Sequence, residues 1–155
     1  MRLPIFSHYP ASASERVQWF VAAFVFGALA VLVFHQGAFA LVHALGLTPR
    51  AAYSMQPTAP FGFPQIWSAT FWGGIWGVVL AASLQRLDGA RLVAAATVFG
   101  LVAPTLVAWF IVAAIKGQPL AAGFAPKAML IGPIVNAAWG LGTGIGLALF
   151  RRLRR

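Results

Sequence analysis

Only two carboxylates, Glu15 and Asp88, occur in this chain of 155 residues, and neither falls inside the long apolar stretches that make up most of it. Hydrophobic residues account for 61% of the sequence and charged residues for 8%. A chain of this kind has lipid as its solvent. The same absence narrows its chemistry, because proton relays, sodium sites and hydrolytic pairs in membranes generally need an Asp or Glu within the bilayer.

Each crossing of a ~30 Å hydrocarbon core takes about 20 apolar residues. Four crossings with short connections use nearly all of the 155 residues, so the chain reads as one domain with no room for a soluble catalytic unit. The formal charge of +9 would point to nucleic acid in a soluble protein. Here the basic residues sit at span ends, so topology accounts for them and no nucleic-acid partner is expected. The absence of cysteine excludes disulfides, iron–sulfur ligation, thiolate nucleophiles and Cys-based zinc sites. Arg2 and Arg16 precede the first apolar run, and Ala38-Phe39-Ala40 imitates a signal-cleavage site. That run is longer than a signal core and continues apolar past the cut, so a retained helix is expected.

The expected spans cover residues 17–44, 66–84, 91–115 and 127–150. Thr48-Pro49, Asp88-Gly89, Gly117-Gln118-Pro119 and the arginines from Arg151 onward interrupt or end them. No ten-residue alternation competes as a membrane barrel. Four spans put both termini and the second loop on one side, which then holds Arg2, Arg16, Arg86, Arg91, Arg151, Arg152, Arg154 and Arg155. Arg50, Lys116 and Lys127 fall on the other side. Eight against three predicts cytoplasmic termini. The segment 48–65 then lies outside, where Pro49, Pro57, Pro60 and Pro64 forbid a continuous helix. It is either a connector or a cap over a cavity.

Phe26-Gly27 in the first span is repeated by Phe99-Gly100 in the third, and Trp76-Gly77 in the second by Trp139-Gly140 in the fourth, at differing offsets. Such matches raise the question of a duplication like those of transporters. Phe34-His35-Gln36, Pro60-Phe61-Gly62-Phe63-Pro64 and Phe71-Trp72-Gly73-Gly74-Ile75-Trp76-Gly77 resemble uncharacterised four-span inner-membrane proteins of bacteria. The resemblance covers the first two spans better than the last two. It implies a bacterial inner-membrane location and no activity.

Gly73 and Gly77 form a small-xxx-small pair in the second span; Gly140 and Gly144, offset from Gly142 and Gly146, do so in the fourth. Glycine lets helices approach closely where lipid supplies no hydrophobic drive, so these faces serve packing within the molecule, or contact with another copy or another subunit. No strand precedes Gly140-Leu141-Gly142, which excludes a nucleotide loop.

Counting 1.5 Å per residue from the expected span ends places His35 and Gln36 about 24 Å up the first helix and Thr105 about 21 Å up the third. Trp72 and Asn136 lie about 9 Å and 13 Å down from the outer side. All five fall in the outer half of a ~30 Å core. Pro104 adds a released carbonyl at that level. The five side chains either bond across helices or line a hydrated pocket opening outward. His43 is eight residues from His35 on the same helix, so the two cannot ligate opposite faces of one haem iron. His35, Gln36 and Asn136 make a poor metal set without a carboxylate. Neither cofactor nor metal is expected, and no residue is assigned a catalytic role. Arg151, Arg152, Arg154 and Arg155 fix topology and are placed to meet anionic lipid headgroups.

The expected fold is therefore all-α, a bundle of four transmembrane helices with both termini cytoplasmic. Three classes of function remain: an accessory or structural membrane protein, alone or as a subunit of a larger complex; a small-solute transporter or channel; and a membrane enzyme or redox carrier resting on His35.

Overall fold

The first helix starts earlier than its apolar run. The Ser12 hydroxyl accepts from the Glu15 amide at 3.1 Å, and the Glu15 carboxylate accepts from the Ser12 amide at 3.0 Å. This capping box satisfies two amides that the helix itself leaves open. In the computed structural model, which describes residues 12–154, helix α1 accordingly spans Ala13–Ala44. The apolar onset near Val17 misses this polar first turn. Helix α2 spans Gln65–Ser83, α3 spans Gly89–Ile115 and α4 spans Pro126–Leu153. Asp88 caps α3, accepting from the Gly89 amide at 2.6 Å. Proline at the start of α4 needs no amide partner there. All four helices are long and apolar enough to cross a membrane. The described residues are all-α apart from one short two-stranded hairpin. Arg2 and Arg155 lie outside the described residues.

The distribution of side-chain size is the reverse of a water-soluble bundle. Val17, Val21, Val25, Leu29 and Val33 recur every fourth residue along α1 and are exposed, while Ala22, Ala23, Gly27 and Ala30 are buried. On α2, Trp67, Phe71, Ile75 and Val79 face outward, while Gly73, Gly77 and Ala81 face inward. Bulky apolar groups outside and small ones inside suit a lipid solvent, where close backbone approach supplies the association energy.

The small residues make the same contact twice. Across α1 and α2, a Cβ added to Gly27 would lie 3.0 Å from the Gly77 Cα, and one added to Gly77 would lie 3.1 Å from the Gly27 Cα and press on the Ala23 carbonyl. Across α3 and α4, a Cβ on Gly100 would lie 3.0 Å from the Gly140 Cα, and one on Gly140 would lie 3.2 Å from the Gly100 Cα and press on the Ala96 carbonyl. Ala23-x3-Gly27 against Gly77 is matched by Ala96-x3-Gly100 against Gly140. The repeated dipeptides Phe26-Gly27/Phe99-Gly100 and Trp76-Gly77/Trp139-Gly140 sit at these matching crossings. Gly144 extends the second crossing, its Cβ position lying 3.0 Å from the Val93 Cα.

The two hairpins dock through α1 and α4. Gly142 and Gly146 receive the rings of Phe34 and Phe26, and the Trp139 indole donates to the Gly27 carbonyl at 2.9 Å. The helices therefore lie in the order α2, α1, α4, α3. Contact between α2 and α3 is sparse by comparison, with Trp76 meeting Phe99 edge-on at 6.0 Å. The buried centre lies nearer the end where α2 turns into α3, built from Trp19, Leu80, Leu92, Ala96, Trp139 and Leu147.

Candidate functional site

Residues Val31–His35 of α1 form a π-helical turn. An inserted residue of this kind shifts the hydrogen-bond ladder and releases backbone acceptors. The Leu32 carbonyl accepts from the Tyr53 hydroxyl at 2.8 Å, and the Tyr53 amide donates to Gln36 Oε1 at 2.7 Å. Tyr53 thus lies along one turn of α1, clamped at both ends. Its φ of 55° is in the left-handed region, which a tyrosine adopts only at a cost. The clamp holds it there.

From Tyr53 the segment continues into a two-stranded hairpin, β1 (Pro57–Thr58) against β2 (Phe63–Pro64). The Gln65 and Ile66 amides donate to the Gln56 and Ser54 carbonyls at 3.0 Å and 3.1 Å, fastening the hairpin to the start of α2. On the far side, Lys116 Nζ donates to Thr58 Oγ1 at 2.7 Å. The segment is therefore tied to α1, α2 and the end of α3. Burial, and secondly the charge of Arg50, hold the Lys116 amine below its ordinary range.

The five polar residues expected at one level do not form a single network. Asn136 Nδ2 donates to Thr105 Oγ1 at 3.0 Å, joining α4 to α3. Gln36 is buried and engaged by Tyr53. Trp72 is 57% exposed, facing outward with its ring edge-on to Phe71 at 5.7 Å. Counting residues gives height along a helix but not direction: Trp72 is next to Gly73 in sequence, and one residue turns the side chain by about 100°. The His35 ring stacks on Phe39 at 6.2 Å. Its Nδ1 is buried and has no hydrogen-bond partner among the described residues. Among the described residues no group of three His, Cys, Asp or Glu is placed to hold a metal.

The glycines Gly73, Gly77, Gly140 and Gly144 all lie in close crossings, with α1 as the partner of α2 and α3 as the partner of Gly140 and Gly144. Gly73 has a further role. A Cβ there would lie 3.3 Å from the Trp139 indole nitrogen, so its absence leaves room for that indole to reach Gly27.

At the other end the C-terminal arginines divide. Arg151 donates to the Leu87 carbonyl and, at 2.7 Å, to the Gln85 carbonyl, and its guanidinium covers the Trp19 ring at 4.1 Å. Arg154 stacks on Phe150 at 5.0 Å. Arg152 lines an open groove with Arg86 and Arg91. Arg155 lies outside the described residues. The sequence reading missed both the Tyr53 clamp and the Arg151 latch. The basic tail pointed to Arg151, but the Leu32, Gln85 and Leu87 acceptors are backbone carbonyls, which carry no sequence signal; only Gln36 Oε1 is a side-chain acceptor.

Comparison with protein families, with curated proteins and with solved structures finds no match.

Proposed function

We propose that this chain is an accessory or structural protein of the bacterial inner membrane, with both termini in the cytoplasm, that works as one subunit of a larger membrane assembly. The observation carrying this reading is how the interior is filled. Small-residue crossings occupy both hairpins and the α1–α4 seam, and Gln36, Thr105, Asn136 and Trp139 all bond to protein groups. The outward face of α2, with Trp67, Phe71 and Trp72 exposed, is the aromatic surface best suited to a neighbouring subunit. In mild detergent the chain should migrate on native gels well above the mass of its own monomer. Replacing Trp67 and Trp72 by Ala should return it to monomer. Migration as a monomer from the outset contradicts the assembly. For the orientation, a C-terminal reporter should be active in the cytoplasm, and activity only outside contradicts it.

One observation favours a second reading, a small-solute transporter or channel with an outward pocket at the level of His35 and Asn136. It is the buried, unpartnered His35 Nδ1, since an orphaned polar atom in an apolar setting is costly. A membrane-impermeant maleimide should label His35→Cys from outside on this reading; a silent cysteine there removes it.

A further inference from the structure

Where α2 turns into α3, an open groove of about 930 Å³ runs between the start of α3 and the end of α4. Three arginines line it from three different elements: Arg86 from the turn, Arg91 from the first turn of α3 and Arg152 from the last turn of α4. Asp88 stands on the same rim, so three positive groups meet one carboxylate. The turn that carries Arg86 is anchored. Arg151 grips the carbonyls of Gln85 and Leu87, the residues on either side of Arg86. Several like charges lining one groove are what an anion site needs.

Below the rim the groove is apolar, lined by Val93, Ile145, Ala148 and Leu149. The order matters. Charge lies at the helix ends and aliphatic side chains follow toward the middle of the span, so a phosphate at the rim leaves an attached acyl chain along α3 and α4. A soluble anion would use the rim alone. Arg151 and Arg154 are occupied by the protein's own groups, which leaves Arg86, Arg91 and Arg152, all exposed, as the binding set.

We propose that this groove is a specific site for an anionic glycerophospholipid, with its phosphate between Arg86, Arg91 and Arg152 and an acyl chain against Val93, Ile145 and Leu149. The inference rests on the membrane reading of the chain. That reading fails separately if the protein stays in solution without detergent.

The test is native mass spectrometry of the full chain in detergent with added phosphatidylglycerol, phosphatidylcholine of the same acyl chains, or glycerol 1-phosphate. Phosphatidylglycerol should bind at least tenfold more tightly than phosphatidylcholine. Arg91→Gln with Arg152→Gln should weaken it about fivefold per charge removed, and Arg154→Gln should leave it unchanged. Ile145→Trp, which fills the apolar floor with every charge retained, should also weaken it. Equal retention of the two lipids overturns the proposal, as does phosphatidylglycerol binding that neither set of substitutions alters. Glycerol 1-phosphate competing as well as the lipid would make the groove a site for a soluble anion and overturn it too.

Discussion

The two hairpins share one crossing and differ in what occupies its next position. In α1–α2 an Ala-x3-Gly face meets Gly77, and one turn earlier on α2 stands Gly73. In α3–α4 the same face meets Gly140, and one turn earlier on α4 stands Asn136, bonded to Thr105. At that position the first hairpin seats the Val31 side chain of α1 against Gly73, whereas the second places a directional bond. The bare Gly73 position also admits a group from outside the hairpin, because the Trp139 indole reaches Gly27 beside it. The reciprocal tryptophan, Trp76, meets the ring of Phe99 edge-on and makes no hydrogen bond of this kind among the described residues. Two similar hairpins therefore dock unequally, with α1 and α4 close and α2 and α3 apart. A shared packing unit does not require a symmetrical bundle; the closer seam is the one where Gly73 leaves the Trp139 indole room to reach Gly27.

The largest expected effects come from the shared crossing. Gly77→Ala and Gly140→Ala each push a methyl group into a facing carbonyl and should each lower stability by about 1–3 kcal/mol. Gly37→Ala, with nothing within 4 Å of the added carbon, should be neutral or slightly stabilising. Reversible unfolding in mixed micelles measures all three. A large loss at one crossing and none at the other would break the equivalence of the hairpins.

Next come the two tryptophans. Trp139→Phe keeps most of the ring and loses the bond to Gly27, so it should cost about 0.6–1.7 kcal/mol. Trp76→Phe has no such bond to lose and should cost less. Equal costs would mean that the seam is not closed by the indole. Smaller still is the coupling between Thr105 and Asn136. A double-mutant cycle with Thr105→Val and Asn136→Ala should give about 0.6 kcal/mol, and zero coupling would remove the bond that distinguishes the second hairpin.

The smallest effect is a pH dependence at the Lys116 end of the bundle. A lysine held below its ordinary pKa carries its charge at a cost in the folded state. Stability should therefore rise as pH climbs from the lowered pKa of Lys116 toward the ordinary value of 10.5, and level off above it. Thermal unfolding across that window should show the rise, and Lys116→Met should flatten it.

The helices were legible because lipid imposes length and apolarity on every span, and the glycine pairs because few other residues permit such approach. The Ser12 capping box and Glu15 were overlooked because they precede the apolar pattern, though Ser-x-x-Glu is a readable signal. Trp72 was misplaced because depth was counted and azimuth was not. The Phe-Gly and Trp-Gly repeats were visible, but their meaning depended on knowing that Gly27 faces Gly77 and Gly100 faces Gly140. The bonds of the Tyr53 hydroxyl and of Arg151 end on backbone carbonyls in a π turn and a loop, features that depend on the backbone path.

The unequal docking of the hairpins is tested most directly by disulfide formation in native membranes, for which a chain without cysteine is already suited. A Cβ at Gly142 lies 2.6 Å from Cγ of Phe34, so cysteines at these two positions are within bonding reach. Val79 follows Gly77 as Gly142 follows Gly140, and Val107 follows Gly100 as Phe34 follows Gly27. Phe34→Cys with Gly142→Cys should form an intrachain disulfide readily, and Val79→Cys with Val107→Cys should not. Bridging at both seams, or only at the second, would contradict the account.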